Sequence, residues 1–287
     1  MIYLFLSIAA SSLIFVIFKL FARYKINTLQ AIVVNYCIAF ATGISTYTGD
    51  TSASEAISSQ WFYGALALGF VFISVFNLMA ITTQKSGLSV VSVATKMSVI
   101  IPIAFGILYY QESAAFLKII GILMALVAVF MASTKEKTAI DRNTLLFPFL
   151  ILIGSGIIDV SLKYIEQAYV KDTDAGIFSA TIFASAGVLG IVLVSYYLIT
   201  GRTKIALKNI IAGIILGVPN YFSIYFLVKA LRIDGMDSSS IFTLNNVSIV
   251  ILSTLLGILL FKERLLVKNW IGIGLAILSI LLVSLAK

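Results

Sequence analysis

The chain has 287 residues, 61% of them hydrophobic and 11% charged, with a mean hydropathy of +1.10 and a formal net charge of +8. So little polar surface excludes a water-soluble globule and points to an all-α polytopic membrane protein. With no histidine and one cysteine, Cys37, imidazole metal sites, His-based acid–base chemistry and a disulfide framework are excluded, so neither metal nor cofactor is expected.

A bilayer core takes about 20 apolar residues per helix. The hydrophobic runs divide into ten of about that length: Ile2–Phe21, Thr28–Tyr47, Trp61–Thr82, Leu88–Tyr110, Ala114–Ser133, Thr144–Ile165, Ala175–Thr200, Ile210–Leu231, Ser238–Phe261 and Leu265–Ala286. They are too long for barrel strands and lack period-2 polarity. The first run has no basic leader and no small-residue cleavage site, so it is expected to be a span and not a cleaved signal. Between the second and third runs, the Ser/Thr-rich loop Thr48 to Gln60 carries Asp50 and Glu55 and no motif.

The basic residues stand singly beside span ends, which makes them a topology signal and speaks against nucleic acid as a partner. Twelve Lys and Arg follow odd-numbered spans, among them Arg23, Lys25, Arg202, Lys204 and Lys208. Five (Lys118, Lys171, Lys229, Arg232 and Lys287) lie on the other side. The positive-inside rule then puts both termini outside.

Ala80 to Ala125 recurs as Ala230 to Ala276. Gly106, Glu112, Gly121 and Ala125 fall on Gly257, Glu263, Gly272 and Ala276 at a constant spacing of 151. Upstream the spacing is shorter by one residue, so that Thr95-Lys96 meets Asn245-Asn246 and Ser98 meets Ser248. The shared Gly and Glu positions carry the signal, since Leu and Ile match by chance in apolar sequence. The charged loop Thr134 to Asn143 separates two sets of five spans, giving repeats 1–136 and 137–287. An odd number of spans per repeat inverts the second relative to the first. The expected fold is therefore ten transmembrane helices as two inverted five-helix repeats.

Amide and charged side chains within hydrocarbon are costly and mark partners or cavities. In the third span Ser74, Asn77 and Gln84 share a face. In the fourth, Ser89, Ser92 and Lys96 form a polar stripe, with Thr95 beside it. The eighth carries Asn220 and Ser223 with Tyr221 and Tyr225 on the neighbouring face. The ninth answers the fourth with Ser239, Thr243, Asn246 and Ser253, flanked by Asn245. In the sixth span Asp159 is an intramembrane carboxylate. Its two readings are an i, i+4 ion pair with Lys163 or a contact to a substrate amine or coupling cation. Glu166, on the same face, is expected near the solvated end. Lys19 and Lys163 read as snorkelling side chains, with a substrate contact as the alternative. Pro102, Pro148 and Pro219 fall within the fourth, sixth and eighth spans, where a helix can kink or unwind beside a cavity.

These residues resemble the ten-helix EamA-type members of the drug/metabolite transporter superfamily. The likeness rests on Ala80-X6-Gly87-Leu88-Ser89 and Ala230-X4-Gly235-Met236-Asp237-Ser238, on the turns at Glu112 and Glu263, and on the helix starts Ile119-Ile120-Gly121 and Trp270-Ile271-Gly272. It covers essentially the whole chain. That family's first-span Trp-Gly, Phe, Lys pattern survives only as Phe15 and Lys19, with Ser11 and Ser12 in the Trp-Gly positions. The resemblance implies a secondary transporter with a central cavity, and termini in the cytoplasm, the reverse of the charge count.

The expected function is alternating-access transport of a small polar organic metabolite across the cytoplasmic (inner) membrane by a multi-pass monomer or homodimer. Candidate substrate contacts are Asn77, Ser92, Lys96, Asp159, Asn220, Tyr221, Thr243, Asn245 and Asn246. One buried cation and one buried anion suit a zwitterion such as an amino acid; an organic anion is the alternative, with Asp159 held by Lys163. A polytopic enzyme would need a catalytic cluster that no loop supplies. A passive channel would need rings of polar residues, where these are scattered over several helices.

Overall fold

The computed structural model describes residues 1–86, 88–112, 115–133, 146–262 and 266–285, apart from the side chains at 80, 83–86, 88–90, 92–93, 132–133 and 284. The described residues form α-helices and one 3-10 turn, with no strand among them. Helices are what a lipid-embedded chain must form, because every N–H and C=O away from water has to be satisfied within its own segment.

In chain order the helices are α1 (Ile2–Arg23), α2 (Thr28–Thr46), α3 (Ala53–Ser58), α4 (Gln60–Ser86), α5 (Leu88–Met97), α6 (Ile100–Tyr109), α7 (Phe116–Ser133) and α8 (Leu146–Tyr169). A 3-10 turn at Asp172–Asp174 precedes α9 (Ala175–Ile199), α10 (Leu207–Ala230), α11 (Ser238–Phe261) and α12 (Val267–Leu285). Seven of the described helices are long and apolar enough to cross a membrane, and three shorter apolar helical stretches cover Ala94–Tyr109, across the turn between α5 and α6, Phe116–Met131 and Val267–Val283. The protein is thus a multi-pass membrane protein.

The fourth run is interrupted where its proline allows, by a two-residue turn at Ser98 and Val99 between α5 and α6, with Val99 still in a right-handed helical conformation (φ −54°, ψ −22°); two other expectations are corrected. Proline explains the break. Pro102 has no N–H to give the Ser98 carbonyl four residues back, which accepts from Ile101 N at 2.9 Å instead. The loop after α2 holds a short helix, α3, started by a capping box in which Ser52 and Glu55 each accept from the other's backbone N–H. Glu166 is not at a wet end: it is 2% exposed, with Lys163 at 3.8 Å.

The chain divides into two compact units, each drawing on both halves of the sequence: Met1–Asn77 with Ser161–Ala230, and Leu78–Val160 with Leu231–Lys287. In the first unit α2 packs against α9 and α10, and α1 against α10. The α2–α10 contact is close because of two glycines one turn apart. A Cβ on Gly213 would come within 2.5 Å of the Ala31 carbonyl oxygen, and one on Gly217 within 2.5 Å of the Ile38 Cβ. Small residues at that spacing let helix backbones approach where no hydrophobic effect drives them together. Despite Pro219, α10 runs unbroken.

In the second unit α7 packs along α12, and α11 packs against α6, α7 and α12. Its core joins Ala125, Ala128 and Val129 of α7 to Val247 and Val250 of α11 and Ala276 of α12.

Candidate functional site

Six of the nine candidates, Ser92, Lys96, Asp159, Thr243, Asn245 and Asn246, belong to the second unit. Lys96 is at the C-terminal end of α5, two residues before the break. Around it the backbone finds substitutes for lost helical bonds: the Thr95 carbonyl accepts from the Ser98 hydroxyl at 2.6 Å, and the Lys96 carbonyl from Val99 N at 3.5 Å. The Lys96 side chain is 7% exposed, and its Nζ donates to Asn246 Oδ1 of α11 at 3.0 Å. Asn246 in turn donates its Nδ2 to the Phe242 carbonyl of its own helix at 3.1 Å, which settles the amide's orientation. Asp159 is half-buried on α8, and the charges of Asp159 and Lys96 act on each other.

Asn245 stands one position from this contact. It is 5% exposed, and its Oδ1 accepts no hydrogen bond among the described residues. An unmet buried amide oxygen is rare and costly, so it calls for a ligand or a water. Thr243 spends its hydroxyl on the Ser239 carbonyl of its own helix at 2.7 Å. The Ser92 side chain lies outside the described residues, as do Gly87 and Glu263 of the repeat motifs.

A second cluster fixes α11 at its N-terminus, and the residues that build it were not among the candidates. Gln111 takes a left-handed backbone (φ 51°) after α6 and turns Glu112 back towards Gly106, where an added Cβ would lie 2.7 Å from the Glu112 Oε2. The Glu112 carboxylate accepts from Ser238 N at 2.9 Å, Ser239 N at 3.0 Å and both serine hydroxyls. A negative charge there meets the unbonded N–H groups and positive dipole end of the helix. Lys118, 1% exposed, donates to Asp237 Oδ2 at 2.5 Å and stands 3.9 Å from Glu112. It is a buried ion-pair partner and not a free topology charge. The Gly-to-Glu spacing seen in the repeat is what carries this cluster: the glycine leaves room for the carboxylate.

The other three candidates, Asn77, Asn220 and Tyr221, belong to the first unit. Asn220 of α10 donates to Asn35 Oδ1 of α2 at 3.1 Å, and the Tyr221 hydroxyl donates to the Gly176 carbonyl at 3.4 Å. Both are buried, whereas Asn77 is half-buried. Asn220 thus ties two helices together, one of the uses of asparagine in membranes. Serine adds a further tie, Ser7 of α1 donating to the Ser223 carbonyl at 3.0 Å.

No family model matches the chain. It is 30% identical over 277 residues to a protein of Haemophilus influenzae described only as uncharacterized, covering 94% of this chain and 93% of that one. A solved crystal structure resembles it with a TM-score of 0.80 over 99% of this chain and 96% of that one. Their 12% identity makes this a likeness of fold alone.

Proposed function

The chain belongs to one family with the Haemophilus influenzae protein, and we propose that it is a secondary transporter moving a small polar organic metabolite, such as an amino acid or another zwitterion, across the cytoplasmic membrane. The observation that carries this reading is the buried Lys96–Asn246 contact, with the charge of Asp159 acting on Lys96. Buried charges on apolar helices mark substrate and ion pathways. A substrate carboxylate would take the place of the Asn246 oxygen on Lys96, because an ionised acceptor outcompetes a neutral one. A substrate amine would take Asp159.

Ten spans in two inverted repeats are part of the same proposal, supported by matching helix starts in the two halves: Ile2 and Leu146, Thr28 and Ala175, Gln60 and Leu207, Leu88 and Ser238, Phe116 and Val267. The turns at Gln111 and Lys262, which the repeat spacing superimposes, share the left-handed conformation at φ 51° and 52°. Discontinuous helices beside a polar site near the membrane midplane are the usual construction of inverted-repeat carriers that alternate access. The break between α5 and α6 two residues from Lys96 fits it, as does the EamA-type resemblance of the sequence.

The test is flux and ligand-dependent thermal shift of the purified protein in liposomes against amino acids, amines and carboxylates. Zwitterions are expected to bind, and both Lys96→Ala and Asp159→Asn to lose that binding. Wild-type binding of every ligand by both variants overturns the proposal. An organic anion is the second reading, favoured by Lys96 giving a hydrogen bond to a neutral amide that an anion would displace. It is met if carboxylates lacking an amine bind and Asp159→Asn retains them.

A further inference from the structure

The first unit has two ends of opposite chemistry. At one, the end of α1, the start of α2, the end of α9 and the start of α10 meet. Gln30 Nε2 donates to Thr203 Oγ1 at 2.7 Å and to the Lys204 carbonyl at 2.9 Å, while Asn209 Nδ2 donates to Gln30 Oε1 at 2.7 Å. Lys208 Nζ donates to the carbonyls of Tyr24 and Lys25 at 3.3 and 3.0 Å. This amide and lysine lacing brings Arg23, Lys25, Arg202, Lys204 and Lys208 to one end, all exposed. No Asp or Glu occurs between Met1 and Gly49 or between Ala175 and Ile233, so the segments that build this end supply no counter-charge. The opposite end is acidic and internally paired: Asp172 takes Lys229 at 2.9 Å, and Asp174 takes the Thr51 hydroxyl at 2.7 Å.

The exposed apolar residues of the basic end decide what meets these cations. Ile199 is 86% exposed and Leu207 71%, each within a few residues of a lysine or arginine, and Tyr24 is exposed beside Arg23 and Lys25. Arg202 lies over the rings of Tyr196 and Tyr197, 5.8 and 6.0 Å from their centroids. Bare aliphatic side chains alternating with cations and tyrosines suit the plane where acyl chains end and headgroups begin. A soluble acidic partner would leave Ile199 and Leu207 in water.

We propose that this basic end of the first unit is a binding surface for anionic phospholipid headgroups, with Lys25, Arg202 and Lys204 meeting the phosphates and Ile199 and Leu207 the acyl chains. Basic residues at a membrane surface each add to the attraction for anionic lipid, an attraction that falls off within a Debye length. The surface is independent of which substrate the protein carries.

The test uses the full chain reconstituted in vesicles of phosphatidylcholine and phosphatidylglycerol in equal amounts, then extracted in mild detergent, with the retained lipid read by native mass spectrometry. Wild type is expected to retain phosphatidylglycerol over phosphatidylcholine by on the order of tenfold, and the triple variant K25Q/R202Q/K204Q to lose that preference. Lys171→Gln, which removes a charge at the acidic end, is expected to keep it and controls for total charge. Equal retention of the two lipids by wild type, or an undiminished preference in the triple variant, overturns the proposal. So does a rise in melting temperature with inorganic phosphate alone that matches the rise with phosphatidylglycerol, which would assign the surface to free phosphate. If the triple variant does not fold, the same comparison is made with R202Q and K204Q singly, each expected to lower the preference.

Discussion

The stretch α5–α6 and the helix α11 lie side by side in the second unit, yet a two-residue turn interrupts the first and nothing interrupts the second. The interrupted stretch carries Pro102 and places a cation, Lys96, just before the turn. The uninterrupted helix carries Asn246, and the two side chains meet at 3.0 Å. The ends differ as well: Ser238 and Ser239 of α11 are gripped by Glu112, while the α5 side chains near Leu88 lie outside the described residues. Helix propensity does not account for the difference. One proline and one buried carboxylate do, the first by removing a backbone donor and the second by satisfying two donors at once.

The comparison breaks most completely if the grip on α11 is removed. Lys118→Met leaves Asp237 and the buried Glu112 without their cation and is expected to destabilise the protein by about 3 kcal/mol, read from thermal or chemical unfolding in detergent. Next comes the contact between α5 and α11. Lys96→Ala is expected to weaken binding of the best ligand in a flux screen by about 2 kcal/mol, roughly thirtyfold in affinity, through loss of a charged hydrogen bond. Pro102→Ala should heal the gap. With a donor restored to the Ser98 carbonyl, hydrogen exchange at residues 101–103 slows, stability rises by about 1 kcal/mol, and the transport rate falls if the gap serves movement.

A finer distinction separates Asn245 from Asn246. Asn245→Leu removes an unmet buried oxygen without breaking a hydrogen bond of that oxygen, so stability should hold or rise by up to about 1 kcal/mol while ligand affinity drops; an equal loss of stability and affinity would show that the amide merely packs. The smallest expected effect is at α3, away from both of these elements. Hydrogen bonds from Ser52 hold the Glu55 carboxyl below its usual range. A lowered folded-state value makes the cap's contribution full at neutral pH and lost as the pH falls through that range. Amide protection of α3 should follow that curve and vanish in Ser52→Ala.

Membrane embedding, helical class and the positions of most helices were legible in the chain because hydrocarbon permits little else: a 20-residue apolar run must close its own hydrogen bonds. Charges and amides at apolar positions, Lys96, Asp159 and Asn246 among them, were legible for the same reason, since each is too costly to be incidental. Their partners were not. Spacing on one helix does not say which residue of another helix it meets, so the sequence offered Asp159 only Lys163 of its own helix, and the charge of Lys96, far away in sequence, that also acts on it was not legible. Burial of Glu166 and Lys118 was hidden likewise, because both stand near helix ends, where sequence suggests water.

What the sequence determined by itself is local and periodic: how many residues form each apolar run, where proline removes a donor, and which positions carry a charge into hydrocarbon. What only the tertiary structure decided is pairwise. Lys96 meeting Asn246, Glu112 seating the N-terminus of α11, and the gathering of five cations at one end of the first unit all depend on helices distant in sequence packing side by side, which hydropathy along one chain does not encode.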